Sequence, residues 1–167
     1  DYYRYWHGHV VLWRPLMMIM GYDEIRMFNG YIVLMLLAAL AIGVYRKAGG
    51  WAVFAVATGY AAMNLWVTPL SLQYMPVMLI SLGGSLAALA MSKAGFLRQA
   101  MLLFIIGSVT AYLDLLAATL VTLGVPLLVL MAAGDGRERL GQAVGLPVFW
   151  AAGWAGTWIA KSLIALG

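Results

Sequence analysis

The chain contains no cysteine, which excludes disulfides, thiolate metal sites and thiol nucleophiles together. Charge is almost as scarce: 10% of the 167 residues are Asp, Glu, Lys or Arg, against about 25% in an ordinary soluble domain. With 6 acidic residues and 2 histidines, any acid–base or metal chemistry has few groups to draw on. The 10 basic residues punctuate hydrophobic runs instead of gathering in a solvated patch. That placement argues against nucleic acid as a partner.

What is present is apolar. Hydrophobic residues make up 65% of the chain, and the mean hydropathy is +0.93, so the lipid bilayer is its medium. Residues 27–45 separate Arg26 from Arg46, residues 48–92 separate Lys47 from Lys93, and residues 99–113 separate Arg98 from Asp114. One crossing needs about 20 apolar residues, so the middle run holds two. These lengths predict an all-α, polytopic membrane protein of about six transmembrane helices, at 27–45, 50–68, 74–92, 99–115, 117–133 and 144–163. An external, interfacial segment, residues 1–26, precedes the transmembrane helical domain, residues 27–167. The first residue is Asp1 and the last is Gly167, and the expectation is a fragment of a longer chain with a further span upstream.

The joints have local causes. Ala48-Gly49-Gly50, Thr68-Pro69 and Gly134-Asp135-Gly136 are places where a helix is expected to stop. Pro76 suits a helix start, where a missing N–H costs little. The run 99–133 reads either as one very long helix or as two. Two helices breaking near Asp114 put Arg46 and Lys47, Lys93 and Arg98, and Arg137 and Arg139 on one side, in keeping with the excess of Lys and Arg in cytoplasmic loops. Residues 1–26, the 68–73 turn, Asp114 and Lys161 then share the opposite, non-cytoplasmic side. The localisation that follows is a multi-pass protein of the bacterial plasma membrane.

Asp114 carries the most information, because no charge precedes it for 15 residues or follows it for 20. An acid in such a setting faces protein, water or ligand. Thr110, Thr119 and Thr122 lie at spacings that let their hydroxyls orient it. A structural role, paired with Arg14, Arg26 or Lys161 or capping the next helix, carries equal weight. His7 and His9 flank Gly8, a spacing unlike the i, i+4 pair of a helical zinc motif. His7 is a candidate for substrate or metal contact against an interfacial hydrogen bond. Arg4, Arg14 and Arg26 suit a phosphate or carboxylate held bidentately, with Trp6 beside them, or else anchor lipid headgroups with Trp6 and Trp13 as belt aromatics. Trp13 and Arg14 suit a helix lying in the membrane interface. Asp23 and Glu24 read as a helix N-terminus, and Gly153, Gly156 and Thr157 as a close-packing helix face.

The opening "YYRYWHGHVVLWRPLMMIMGYDEIRMFN" and the later "TAYLDLLAATLVTLGVPL" together resemble a pattern of bacterial polytopic membrane proteins of uncharacterised activity. Its marks are Tyr-x-Arg-Tyr-Trp-His-Gly, Arg-Pro-Leu, Ile-Arg with Asn, and Thr-x-Tyr-x-Asp ending in Thr-Leu-Gly-x-Pro-Leu. Such proteins are similar in layout to GT-C-type glycosyltransferases that use polyprenyl-phosphate sugars. The resemblance implies a lipid-linked phosphosugar and a glycan acceptor as partners, in cell-envelope assembly. In that class the catalytic acid lies in the loop after the first span, of which only Asp1 could be a part here. Substrate-binding candidates are Arg4, Trp6, Arg14 and Arg26, and catalytic candidates are Asp114 and His7. The cofactor is unknown, with a divalent cation as a candidate. The alternative is a transporter, a flippase or a non-catalytic assembly subunit with a midplane site at Asp114.

The natural absence of cysteine makes the topology directly testable. Single cysteines at Ala48 and Gly136 should resist an impermeant thiol reagent in intact cells, while one at Ser71 should react. Labelling at Gly136 but not at Ala48 would overturn the two-helix reading of 99–133.

Overall fold

The computed structural model describes residues 8–65, 67–113, 118–134 and 139–164. Among them are seven α-helices: α1 (His9–Met17), α2 (Tyr22–Ala48), α3 (Gly50–Ala62), α4 (Met75–Ala90), α5 (Phe96–Leu113), α6 (Val121–Ala133) and α7 (Arg139–Ile164). A single 3-10 turn (Thr68–Leu70) lies between α3 and α4. No strand occurs among the described residues.

Three of the helices are long and apolar enough to cross a membrane: Tyr22–Ala48, Phe96–Leu113 and, within α7, Gly141–Ile164. The others are shorter. α3 and α6 have 13 residues each, about 20 Å at 1.5 Å per residue, against a hydrocarbon thickness of about 30 Å. The lipid-facing character is plain on α2. Ile25, Asn29, Val33, Leu40 and Val44 are buried on one face, while Leu34, Met35 and Ile42 on the others are more than half exposed and equally apolar. A helix apolar all round is what a bilayer requires.

α2 begins at Tyr22, five residues before the expected start at residue 27, because Gly21 is extended and the Glu24 carboxylate accepts its N–H at 2.8 Å. The acidic pair Asp23 and Glu24 thus occupies the first turn, where the helix dipole favours it. At its far end Gly49 has φ +81°, a left-handed conformation open to glycine, and the chain reverses into α3. α3 stops at Ala62 and not near residue 68. Asn64 takes φ +53°, which asparagine tolerates better than most residues, and the Thr68 hydroxyl closes on its carbonyl at 3.0 Å. The 99–133 region is two helices, as the charge pattern requires.

Consecutive helices from α2 to α7 run in alternating directions. Gly43 of α2 faces Leu89 of α4, and Ser81 and Gly84 of α4 meet Val121 and Pro126 of α6, so α2, α4 and α6 run one way. Tyr60 of α3 reaches Ser81 and Ser85 at 3.1 and 3.4 Å; α5 and α7 share its direction. The bundle therefore has two ends. One collects Arg46, Lys47, Lys93 and Arg98, and there Lys47 Nζ donates to the Leu89 carbonyl at 2.6 Å and to Ser92 Oγ at 3.2 Å. Gln99 crosses the same turn, its Nε2 donating to the Ala94 carbonyl at 3.0 Å. The other end collects Gly8, Trp13, residues 63–74, the end of α5, the start of α6 and Lys161.

α5 and α7 form the most extensive contact in the bundle. A methyl group at Gly107 would overlap the Trp150 carbonyl, and one at Gly153 would overlap the Phe104 carbonyl. Small residues allow this backbone approach, and Ser108 Oγ donates across it to the Gly153 carbonyl at 3.2 Å. Gly156, expected on the same face, meets open space instead, since it lies three residues further round the helix. Gly153→Leu should lower detergent-solubilised thermal stability by about 1–3 kcal/mol or more, because the obstacle is backbone and cannot rotate away. Gly156→Leu should leave the melting temperature nearly unchanged.

Candidate functional site

The end of the bundle opposite Arg46 and Lys93 is built by failure of the helices to extend. Gly43 of α2 stands level with Leu89 of α4. Counting back along both helices, α2 continues for about eight residues, or about 12 Å, beyond the start of α4. The 63–74 segment fills part of that step and leaves a recess of about 310 Å3, lined by Asn64, Thr68, Tyr74, Met78, Ala118 and Val121 among others.

α1 crosses this end between two anchors. A methyl group at Gly8 would overlap the Tyr112 carbonyl oxygen and stand 3.2 Å from Leu113 Cα, so the glycine is needed for close approach, beyond the turn expected of it. Five residues on, Trp13 is 5% exposed and its indole N–H donates to the Leu72 carbonyl at 2.6 Å. Trp13 is therefore a core residue and not a belt aromatic, because its one polar atom is taken by the 63–74 segment. Val11, Met18 and Ile19, at 61%, 88% and 83% exposure, provide the apolar surface expected of a helix at the membrane interface.

Lys161 of α7 reaches the same place. Its Nζ donates to the Ala111 carbonyl and, at 3.1 Å, to the Tyr112 carbonyl, and lies 5.4 Å from the centre of the Tyr112 ring. A cation there satisfies the last carbonyls of α5 and opposes its dipole.

The threonines expected to orient Asp114 have other partners. Thr110 and Thr122 are fully buried, with their hydroxyl oxygens 2.8 Å apart. Thr122 donates to the Thr119 carbonyl at 2.8 Å and accepts the Trp150 indole N–H at 3.3 Å. Thr110 lies 2.7 Å from the Ile106 carbonyl, so its one proton goes there or to Thr122. This knot ties α5, α6 and α7 together and leaves neither hydroxyl waiting for a carboxylate.

Arg14 is exposed on α1. Arg26 is one-third exposed on the second turn of α2, with Nη1 3.4 Å from Asp23 Oδ1 and its guanidinium 5.6 Å from the centre of the Tyr22 ring. Arg26 Nε is buried without a hydrogen-bond partner. Asp1, Arg4, Trp6, His7 and Asp114 lie outside the described residues, as does the side chain of His9. Among the described residues no group of three His, Cys, Asp or Glu side chains gathers to hold a metal. Sequence reasoning missed the recess residues Asn64 and Tyr74. The signal for Asn64 was local: an asparagine four residues before Thr68-Pro69, a sequence that breaks helices.

No family model matches the chain, and neither a curated protein nor a solved structure matches it. The chemistry therefore has to be argued from the geometry. That geometry supplies an interfacial helix, a recess, a cation on α2 with donor capacity to spare, and the two residues that bracket the Asp114 connection, Leu113 and Ala118, at one end of the bundle.

Gly8→Val should displace α1 from the end of α5 while the bundle stays folded. The expected outcome is faster hydrogen exchange across residues 9–17, with protection of α5 and α7 retained. Unchanged exchange across α1 would show that the contact with Tyr112 does not hold it.

Proposed function

We propose that the protein is a multi-pass enzyme of the bacterial plasma membrane. It transfers a sugar from a polyprenyl-phosphate carrier to a glycan acceptor of the cell envelope, at the end of the bundle that carries α1. The observation that carries this reading is the seating of Gly8 on Tyr112 and Leu113. It draws the Arg-Tyr-Trp-His block to the neighbours of Asp114 in sequence. The two stretches quoted for the resemblance thus meet in space although about a hundred residues separate them.

In this reading all six helices from α2 to α7 cross or enter the bilayer, the shorter ones with the help of the turns that extend them. The end with Arg46, Lys47, Lys93 and Arg98 is cytoplasmic, and residues 1–26 are outside, as the basic-loop bias favours. Asp114 acts as general base. It takes the proton from an acceptor hydroxyl as that oxygen attacks the anomeric carbon, and the bond from that carbon to the phosphate oxygen breaks. The departing lipid phosphate keeps the electron pair, and Arg4, Arg14 and Arg26 neutralise its charge. Trp6 offers a face for the sugar, and His7 a donor to the phosphate.

The rival reading, a transporter, flippase or assembly subunit, needs a polar site near the bilayer midplane. It is disfavoured because Leu113 ends α5 and Ala118 precedes α6, which puts the connection between them at a bundle end. The polar groups of Thr110, Thr122 and Trp150, further in, are paired with one another.

Asp114→Asn separates catalytic from structural service. A catalytic base lost should leave melting unchanged and reduce glycan-product formation by about 100-fold or more. A structural partner lost should lower stability by about 3–5 kcal/mol. A folded variant with normal product output would overturn the assignment.

A further inference from the structure

α2 and α3 are joined at Gly49 and run antiparallel, yet they do not close on each other. No glycine on either helix turns its bare face to the partner: Gly43 faces Leu89 of α4, Gly59 faces Val125 of α6, and Gly30 faces open space. Between them remains an apolar groove of about 500 Å3, walled by Leu34, Leu37, Ala41, Val53 and Ala57 and reaching Val44. Through Leu34, Leu37 and Leu65 it continues into a second hollow of about 480 Å3 that carries Met27, Leu70, Asp23 and Arg26.

Two features say what fits there. The first is length: from Arg26 to Val44, α2 rises about 27 Å, close to the whole hydrocarbon thickness of about 30 Å. The chains of a bilayer phospholipid stop near the midplane, so the groove outruns one leaflet. The second is the polar group at its mouth. Arg26 follows the last acidic residue before the charge-free run of α2, at the level where headgroups lie. Its Nε is buried and without a partner, and its contact with Asp23 is an exposed pair at 3.4 Å, the kind that contributes little. A guanidinium edge with donors to give matches a phosphate monoester.

We propose that this groove holds the chain of a single-chain lipid monophosphate of polyprenyl length, with its phosphate on Arg26 and its chain running between α2 and α3 past the bilayer midplane. The inference rests on the lipid-linked substrate proposed above and specifies where that lipid lies. Chain length, and not the phosphate alone, is what the groove selects.

The test uses the full-length protein in nanodiscs and a long-chain polyprenyl monophosphate with a diazirine at its far end. Crosslinks are expected on α2 and α3 near Val44 and Val53. Arg26→Gln should weaken binding of this probe by about tenfold to a hundredfold, the value of a charged hydrogen bond, and Arg26→Lys should recover part of it. Ala57→Trp, on an exposed wall of the groove, should abolish the distal crosslinks without lowering the melting temperature. A farnesyl monophosphate, too short to reach Val44, should bind Ala57→Trp as it binds the unaltered protein. Equal competition by dioleoyl phosphatidic acid would overturn the proposal in favour of an ordinary phospholipid site, and crosslinks confined to other helices would overturn it in favour of another track. Binding is read without turnover. Normal labelling in Asp114→Asn therefore upholds the groove even if sugar transfer fails, and product formation without labelling of α2 or α3 would remove the groove while leaving the transferase reading intact.

Discussion

The close approach of α5 and α7 governs the placement of the rest. Two glycines, Gly107 and Gly153, let the backbones meet where any side chain would overlap a carbonyl. In hydrocarbon no hydrophobic force drives helices together, so packing of this kind and hydrogen bonds between helices have to do so. With the two helices held in register, Lys161 comes level with the last turn of α5 and takes its carbonyls. Trp150 comes level with Thr122 and supplies the N–H that the threonine accepts. The end of α5 is thereby fixed as a platform, and Gly8 rests on it.

A second constraint follows from the same solvent. Polar groups inside the bundle need internal partners, because lipid offers none. Tyr60 meets Ser81 and Ser85, Thr110 meets Thr122, and Gln99 and Lys47 close the turns at the basic end. Groups that lack such partners stand out against this background. Arg26 Nε is one, and it lies at the mouth of the groove between α2 and α3. Where α5 and α7 are drawn together by facing glycines, α2 and α3 have none facing, and the space between them remains open to a chain-like occupant. The tight pair and the loose pair thus have one cause, the direction in which glycines point, and they divide the bundle into a scaffold and a lipid-facing track.

Much of this was legible in the residues. Charge-free runs and breakers were enough to locate α2, α4, α5 and α7 to within several residues, because hydrophobic length and glycine or proline punctuation are properties of the chain itself. The division of 99–133 into two helices was also legible, through the side on which basic residues must fall. The early stop of α3 was not. Asn64 overrides an apolar pattern that would otherwise continue, and its left-handed conformation is stabilised by the Thr68 hydroxyl, a contact whose formation no local count reveals. Trp13 was misjudged for a related reason: an indole beside an arginine looks interfacial until the Leu72 carbonyl arrives to accept its proton.

The sequence by itself determined that the chain is helical and made for a bilayer, that cysteine chemistry is closed to it, and that its basic residues divide it into two ends. Composition and periodicity suffice for such properties, since they depend on transfer of residues into lipid and not on which residues touch. Only the tertiary structure decided that Thr110 and Thr122 serve each other, that Gly8 and Gly153 are points of backbone contact while Gly156 is not, and that a groove begins at Arg26. Those outcomes depend on which helix faces meet, and a rotation of one residue, about 100° on a helix, is enough to turn a packing glycine toward open space.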